Sequence, residues 1–262
     1  VTLPARRRYG QNFLHDANVV SRILNRIAPA RDERFLEIGG GLGALTIPLA
    51  PLVDRLDVVE IDPRLAQALS TRLGESDNVT VHNADALSFD VSECIDAGHK
   101  LRVAGNLPYN ISTPLLFHMA KFRTAILDMH VMLQKEVVDR MVALPGNKTY
   151  GRLTVMLSRW FDIEACFDIR PGSFRPQPRV MSTLARMTVR QQPRFAVEDE
   201  QRFAALVAHL FSMRRKTLGR ALRDRVSAVD LVALGIDPTA RAETLSPERL
   251  AALSDAVDPR PI

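Results

Sequence analysis

Short, nearly continuous apolar runs alternate with amphipathic segments through the first two thirds of the chain, and helical periodicity takes over in the last third. Apolar runs of this length read as strands buried on both faces, and the segments between them as helices. The runs at residues 34–38, 56–62, 79–82, 101–104, 125–133, 163–169 and 182–189 predict seven strands. Val19, Val20, Ile23, Leu24 and Ile27 recur at helical spacing and predict a helix starting at Asp16 or Asn18. Further helices are predicted at 44–49, 64–73, from about 113, at 135–143 and at 150–159. Strands interleaved with helices predict an α/β fold with a mostly parallel sheet. Gln191-Gln192-Pro193-Arg194 reads as a linker, and residues 193–262 beyond it as a small all-helical domain, with helices at 201–211, 217–225, 229–234 and 247–256.

Ligands of open α/β sheets bind outside the carboxyl ends of the strands, so the residues closing each run carry the candidate chemistry. After the first run comes Gly39-Gly40-Gly41-Leu42-Gly43, a glycine turn opening a helix, where backbone amides can approach a ligand closely. Gly39, Gly41 and Ala44 also satisfy the dinucleotide pattern, so the turn does not name its ligand. The second run ends in Glu60-Ile61-Asp62. Glu60 is assigned to ribose hydroxyls, with Asp62 as the alternative or as a helix cap before Pro63. Asp85 follows the third run, placed either to accept from an adenine amino group or to cap a turn. The fourth run leads into Gly105-Asn106-Leu107-Pro108-Tyr109-Asn110. Pro108 has no amide hydrogen, Asn106 adds a carbonyl and an amide, and Tyr109 offers a flat face. That set suits a planar heterocycle with an exocyclic amine; the alternative is a turn with a structural Asn and a core Tyr.

Composition narrows the partners. The chain has 262 residues and is 46% hydrophobic, enough for a sizeable core; its 35 Lys+Arg against 30 Asp+Glu give a net charge of +5. So small an excess is only a hint of a polyanion, and clustering decides. Arg6-Arg7-Arg8 stands near the start, and Arg214-Arg215-Lys216 precedes a helix bearing Arg220, Arg223 and Arg225. Arg175 and Arg179 flank a proline-rich connection over 171–179, read as too polar and stiff for core. It is either a plain hairpin loop or one that presents Phe174 for stacking on a base beside a phosphate backbone. Cys94 and Cys166 are isolated, which argues for a reducing compartment and against a zinc cluster, and the histidines show no metal-ligand spacing. The apolar stretch at 44–53 contains two prolines and is too short for a bilayer. The Arg triplet is followed by polar residues, unlike a secretory signal. A soluble cytoplasmic protein is expected.

Taken together, Gln11-Asn12-Phe13-Leu14, Glu37-Ile38-Gly39-Gly40-Gly41-Leu42-Gly43, Glu60-Ile61-Asp62, Asp85-Ala86, Asn106-Leu107-Pro108-Tyr109-Asn110-Ile111-Ser112-Thr113-Pro114 and Phe174-x-Pro-x-Pro-x-Val180-x-Ser182 resemble, in this order, the ribosomal RNA adenine dimethylases. Arg214-Arg215-Lys216-Thr217 and Gly235-Ile236-Asp237-Pro238-x-x-Arg241-Ala242-Glu243 resemble the bacterial small-subunit branch. The resemblance implies a Rossmann-like S-adenosylmethionine-dependent methyltransferase domain over 1–192 and an rRNA-binding domain over 193–262. It implies two methyl groups placed on N6 of each of two adjacent adenosines near the 3′ end of small-subunit rRNA, within an immature subunit. Asn12, Leu14, Gly39, Gly41, Glu60, Ile61, Asp85, Ala86 and Asn106 would hold the donor. Asn106, Leu107, Pro108, Tyr109 and Phe174 would hold the target base, and Arg6, Arg7, Arg8, Arg175, Arg179, Arg214, Arg215 and Lys216 the RNA. No metal is implied, and a monomer is expected. A nicotinamide dehydrogenase would use the glycine turn and Glu60 but leaves Asn106–Tyr109 and the basic helix unexplained. An assembly or transcription factor on the same fold, with methylation secondary, is the main alternative. The C-terminal motifs disfavour the large-subunit branch.

Overall fold

The computed structural model describes residues 3–74, 76–95 and 98–257. Its elements run β1 (Phe13–Leu14), α1 (Ala17–Ile27), β2 (Arg34–Ile38), α2 (Thr46–Leu49), β3 (Arg55–Val59), α3 (Pro63–Leu73), β4 (Val79–His82), β5 (Leu101–Asn106), α4 (Ser112–Lys121), β6 (Ile126–Gln134) and α5 (Lys135–Met141). They continue with α6 (Arg152–Ser158), β7 (Phe161–Ile169), β8 (Phe174–Arg175), β9 (Ser182–Val189), α7 (Glu200–Ser212), α8 (Leu218–Ala221), α9 (Ala228–Ala233) and α10 (Pro247–Ala256). Asp16 starts α1 by accepting from the amides of Asn18 and Val19, and Val19, Ile23 and Ile27 form its buried stripe. That is the predicted periodicity with the expected cap.

Seven strands make one sheet in the order β4-β3-β2-β5-β6-β9-β7. The pairs from β4 through β6 are parallel, and β6 runs antiparallel to β9. The chain moves outward from β2 through β3 to β4, then returns to the other side of β2 as β5. The crevice between the ends of β2 and β5 is therefore the topological switch point, where such sheets bind ligands. Gly105 sits opposite Ile38 across this pair. A Cβ on it would stand 2.4 Å from the Ile38 carbonyl oxygen, so only glycine lets the two strands meet there.

The chain divides into two compact units, Val1–Val138 with Ile163–Val189, and Asp139–Asp162 with Arg190–Ile262. The first contains nearly all of the sheet, with a core that includes Phe35, Leu56, Val58, Ala104, Met132 and Leu184. The second resumes at Arg190, beside the linker read at 191–194, but it also takes in residues 139–162. Its core explains why: Tyr150 and Val155 are buried with Phe203, Leu206, Val207 and Leu250, and the Tyr150 hydroxyl donates to the Leu245 carbonyl at 2.9 Å. Among the described residues no helix is long and apolar enough to cross a membrane.

Candidate active site

A cleft enclosing about 670 Å³, its open mouth included, lies at the switch point. The sequence-predicted Asn12, Gly39, Gly41, Glu60, Ile61, Asp85, Ala86, Asn106, Leu107, Pro108 and Tyr109 all line it. Tyr9, Gln11, Phe13 and Ile111 line it too, and sequence reading had not assigned them. Phe13 carried a usable signal, an aromatic residue within the Gln11–Leu14 motif. Its ring lies 3.3 Å from where a Gly41 Cβ would stand. Gly39 and Gly41 have φ of +80° and +54°, so the turn needs residues without side chains for conformation as well as for space.

Glu60 follows β3 directly and is only 4% exposed. Its Oε2 accepts from the Gly41 amide and its Oε1 from the Asp62 amide, both at 2.9 Å. Burial pushes the carboxyl above the ordinary carboxylate range, and these two bonds oppose the shift. The glycine turn is thereby tied to the second strand by the same side chain that faces the cleft. Asp62 takes the capping role, accepting from the Arg64 amide at 3.2 Å and its guanidinium at 2.6 Å. Arg64 holds it at about 2. Asp85 is exposed at the rim, where its Oδ1 accepts from the Leu87 amide at 2.9 Å.

At the end of β5, Asn106 Nδ2 donates to the Asn12 carbonyl at 2.7 Å. This orients the side-chain amide and leaves Oδ1 as its acceptor. The Leu107 amide continues the ladder to Met132, while the Pro108 carbonyl accepts from the Ile111 amide at 3.2 Å. Tyr109 shares a 2.5 Å hydrogen bond between its hydroxyl and Ser182 Oγ. Burial pushes its phenol up, the Ser182 bond opposing.

Leu14 and Phe174 lie outside the lining of this cleft. Leu14 is a core residue that borders a smaller recess with Gly39, Gly41 and Asn106. Phe174, expected on an exposed loop, is 1% exposed and belongs to the same core. The connection it lies on forms β8, which pairs with β1 so that Phe174 stands opposite Leu14. Pairing of Phe174 and Arg175 with β1 fixes the backbone at that point, and the Phe174 ring turns into the core beside Leu14. Phe174 supports the Asn12–Leu14 segment from beneath instead of offering a stacking face.

The basic residues also divide. Arg8 lies over the Tyr9 ring at 4.5 Å and donates to its hydroxyl, and Arg6 approaches Asp62 at 3.8 Å. The Arg7 side chain lies outside the described residues. Arg175 and Arg179 are exposed, as are Arg215 and Lys216. Arg214 is engaged: it donates through Nε and a terminal nitrogen to Glu243 Oε2, at 3.1 and 2.7 Å, and to the Lys148 carbonyl at 2.8 Å. Within the second unit, Met213, Lys216, Arg220, Arg223 and Arg225 line a basic groove that also contains Asp224.

The family model for the ribosomal RNA adenine dimethylases matches residues 3–258. A ribosomal RNA small subunit methyltransferase A from Aromatoleum aromaticum is 48% identical over 242 residues, which cover 92% of this chain and 90% of that protein. Among solved structures, a dimethyladenosine transferase from Plasmodium falciparum is similar with a TM-score of 0.76 at 23% identity, covering 92% of this chain and 95% of that one. The 23S rRNA methyltransferase ErmE is similar with a TM-score of 0.70 at 27% identity, covering 94% of this chain and 100% of that one. A match that runs through the cleft-bearing unit and on through the helical one leaves only the extreme ends outside, and the chain belongs to the ribosomal RNA adenine dimethylase family.

Proposed function

We propose that this chain uses S-adenosylmethionine to dimethylate N6 of two adjacent adenosines near the 3′ end of small-subunit rRNA, within an immature subunit. The observation that carries this reading is the placement of Asn106. Its amide is held by Asn12 in a cleft that also contains Glu60 and Asp85. The relative named for the small subunit, at 48% identity, favours that RNA over the 23S substrate of ErmE at 27%.

The cleft fits the donor. The glycine turn has the space that a Gly41 Cβ would take against Phe13, and each Glu60 oxygen keeps a lone pair for a ribose hydroxyl beyond its backbone bond. Gly39, Glu60 and Ile61 would hold its methionine and ribose portions, and Asp85 with Ala86 its adenine. When bound, this donor supplies a methyl group already activated on a sulfonium. The chain's own task is the acceptor, whose N6 lone pair is delocalised into the purine. Asn106 Oδ1 and the Leu107 carbonyl would accept the amine hydrogens and favour a pyramidal, nucleophilic nitrogen. The Pro108 carbonyl, already engaged with Ile111, would contribute through its second lone pair. Tyr109, anchored on Ser182, would stack on the base once it is flipped from the RNA. Positioning and oriented acceptors of this kind supply several kcal/mol without a separate general base.

Arg8, Arg175, Arg179, Arg215, Lys216 and the basic groove of the second unit would contact phosphates. The test is incubation with immature small subunits and isotopically labelled S-adenosylmethionine, followed by nucleotide mapping. Two neighbouring dimethyladenosines near the 3′ end of the small-subunit rRNA are expected. Label confined to 23S rRNA, or tight subunit binding with no label, would overturn the reading.

A further inference from the structure

Outside the cleft, three side chains distant in sequence meet: Asp57 in β3, His82 at the end of β4 and Cys94 in the turn Val91–Cys94. Their donor atoms all lie within 4.8 Å of one another, and His82 Nε2 is 2.8 Å from Asp57 Oδ1. Asp57 and Cys94 are fully buried, whereas 22% of the His82 side chain reaches solvent. The Arg55 guanidinium reaches both Asp57 oxygens, Nη2 donating to Oδ1 at 3.1 Å and Nε lying 2.8 Å from Oδ2 as an ion pair. A buried carboxylate and a buried thiol converging with an imidazole from three separate elements have the character of a ligand set.

We propose that Asp57, His82 and Cys94 form a binding site for a thiophilic divalent cation of the zinc type, with water as the fourth ligand on the exposed His82 side. Tetrahedral zinc takes sulfur at about 2.3 Å and nitrogen or oxygen at about 2.0–2.2 Å, so the longest separation, up to 4.8 Å, must close by about 1 Å. His82 Nε2 and Asp57 Oδ1, now 2.8 Å apart, must part slightly to admit the ion. The Cys94 thiol holds its proton in the metal-free protein, burial and then the Asp57 carboxylate pushing it up to about 12. As the metal binds, the thiol proton passes to solvent, and the His82 ring moves the proton that Nε2 now donates to Asp57 onto Nδ1, freeing the Nε2 lone pair. One thiolate and one carboxylate then face the dication, with the Arg55 guanidinium competing for Asp57. This is not the paired-cysteine cluster that the isolated cysteines argue against; it draws one ligand from each of three elements.

The site would brace the donor end of the cleft. The His82 carbonyl accepts from the Glu60 amide at 3.0 Å, and Asn83 Nδ2 and the Ala84 amide donate to the Glu60 carbonyl at 2.8 and 3.2 Å. A cation on the His82 ring holds these strand ends together, with Asp85 just beyond.

The test is cobalt titration of the chelator-stripped full chain, read by absorption. A near-ultraviolet sulfur-to-cobalt band rising to one equivalent, abolished by zinc and by Cys94→Ser but kept in Cys166→Ser, is the expected result. His82→Gln, at a partly exposed position, should weaken cobalt binding by at least about tenfold, and Arg55→Gln should strengthen it. Absence of the band in folded wild-type protein, or its persistence unchanged in Cys94→Ser, would overturn the proposal.

Discussion

Asn106 Nδ2 donates to the backbone carbonyl of Asn12 at 2.7 Å, joining two residues 94 positions apart at the mouth of the cleft. The bond makes one side chain the hinge between the N-terminal segment and the corner that would hold the target base. Asn106→Ala should lower single-turnover methyl transfer by roughly 100-fold or more, the usual cost of losing an oriented polar group in a site. RNA affinity, measured by filter binding, should stay within about threefold of wild type. Equal losses in both assays would place Asn106 in docking rather than chemistry.

Gly105 is the structural counterpart of that hinge. Its would-be Cβ meets backbone atoms of Ile38, which cannot move aside as a side chain could. Gly105→Ala should therefore destabilise the first unit by about 3 kcal/mol, at the upper end for overpacking. Denaturant unfolding gives the value directly, and a loss below about 0.5 kcal/mol would mean that β2 and β5 can separate without cost.

Arg214 and Arg215 are neighbours with opposite expectations. Arg214 is bonded to Glu243 and Lys148, so Arg214→Glu should cost about 1 kcal/mol or more of stability by losing charged hydrogen bonds and adding repulsion. Arg215 is exposed. Arg215→Glu should leave the melting temperature unchanged, weaken RNA binding, and reduce the slope of log affinity against log salt by about 1. A melting shift for Arg215→Glu as large as that for Arg214→Glu would contradict the assignment.

Glu37, at the inner end of β2, is pushed up to about 8 by burial; the Thr46 hydroxyl opposes the shift and Glu60 adds to it. The folded state thus holds a proton that the unfolded chain releases near 4.5. This contribution to stability is fully present below about pH 4.5 and is lost as pH rises towards 8. Glu37→Gln should flatten the pH dependence over that window and raise stability at pH 7 by on the order of 1–3 kcal/mol. Unfolding curves at several pH values would check it; parallel profiles for the two proteins would show that Glu37 is charged when folded.

What could be read from the chain alone was what depends on near neighbours. Apolar runs located the strands of the sheet, Asp16 and Asp62 announced the helix starts they cap, and the residues closing successive runs named the lining of the cleft, because parallel strands deliver their ends to one edge whatever the loops do. Gly105 could have been read further, since a glycine inside a strand signals close approach.

Tertiary structure decided what depends on a distant partner. Phe174 looked exposed because its neighbours are arginines and prolines, but strand pairing with β1 buries it. Arg214 looked like Arg215 until Glu243 closed on it, and residues 139–162 joined the helical core through Tyr150 and Val155. Asp57, His82 and Cys94 share no motif at all. Periodicity and caps are written within a turn or two of chain, whereas burial and ion pairing are settled by whichever residues the fold brings alongside.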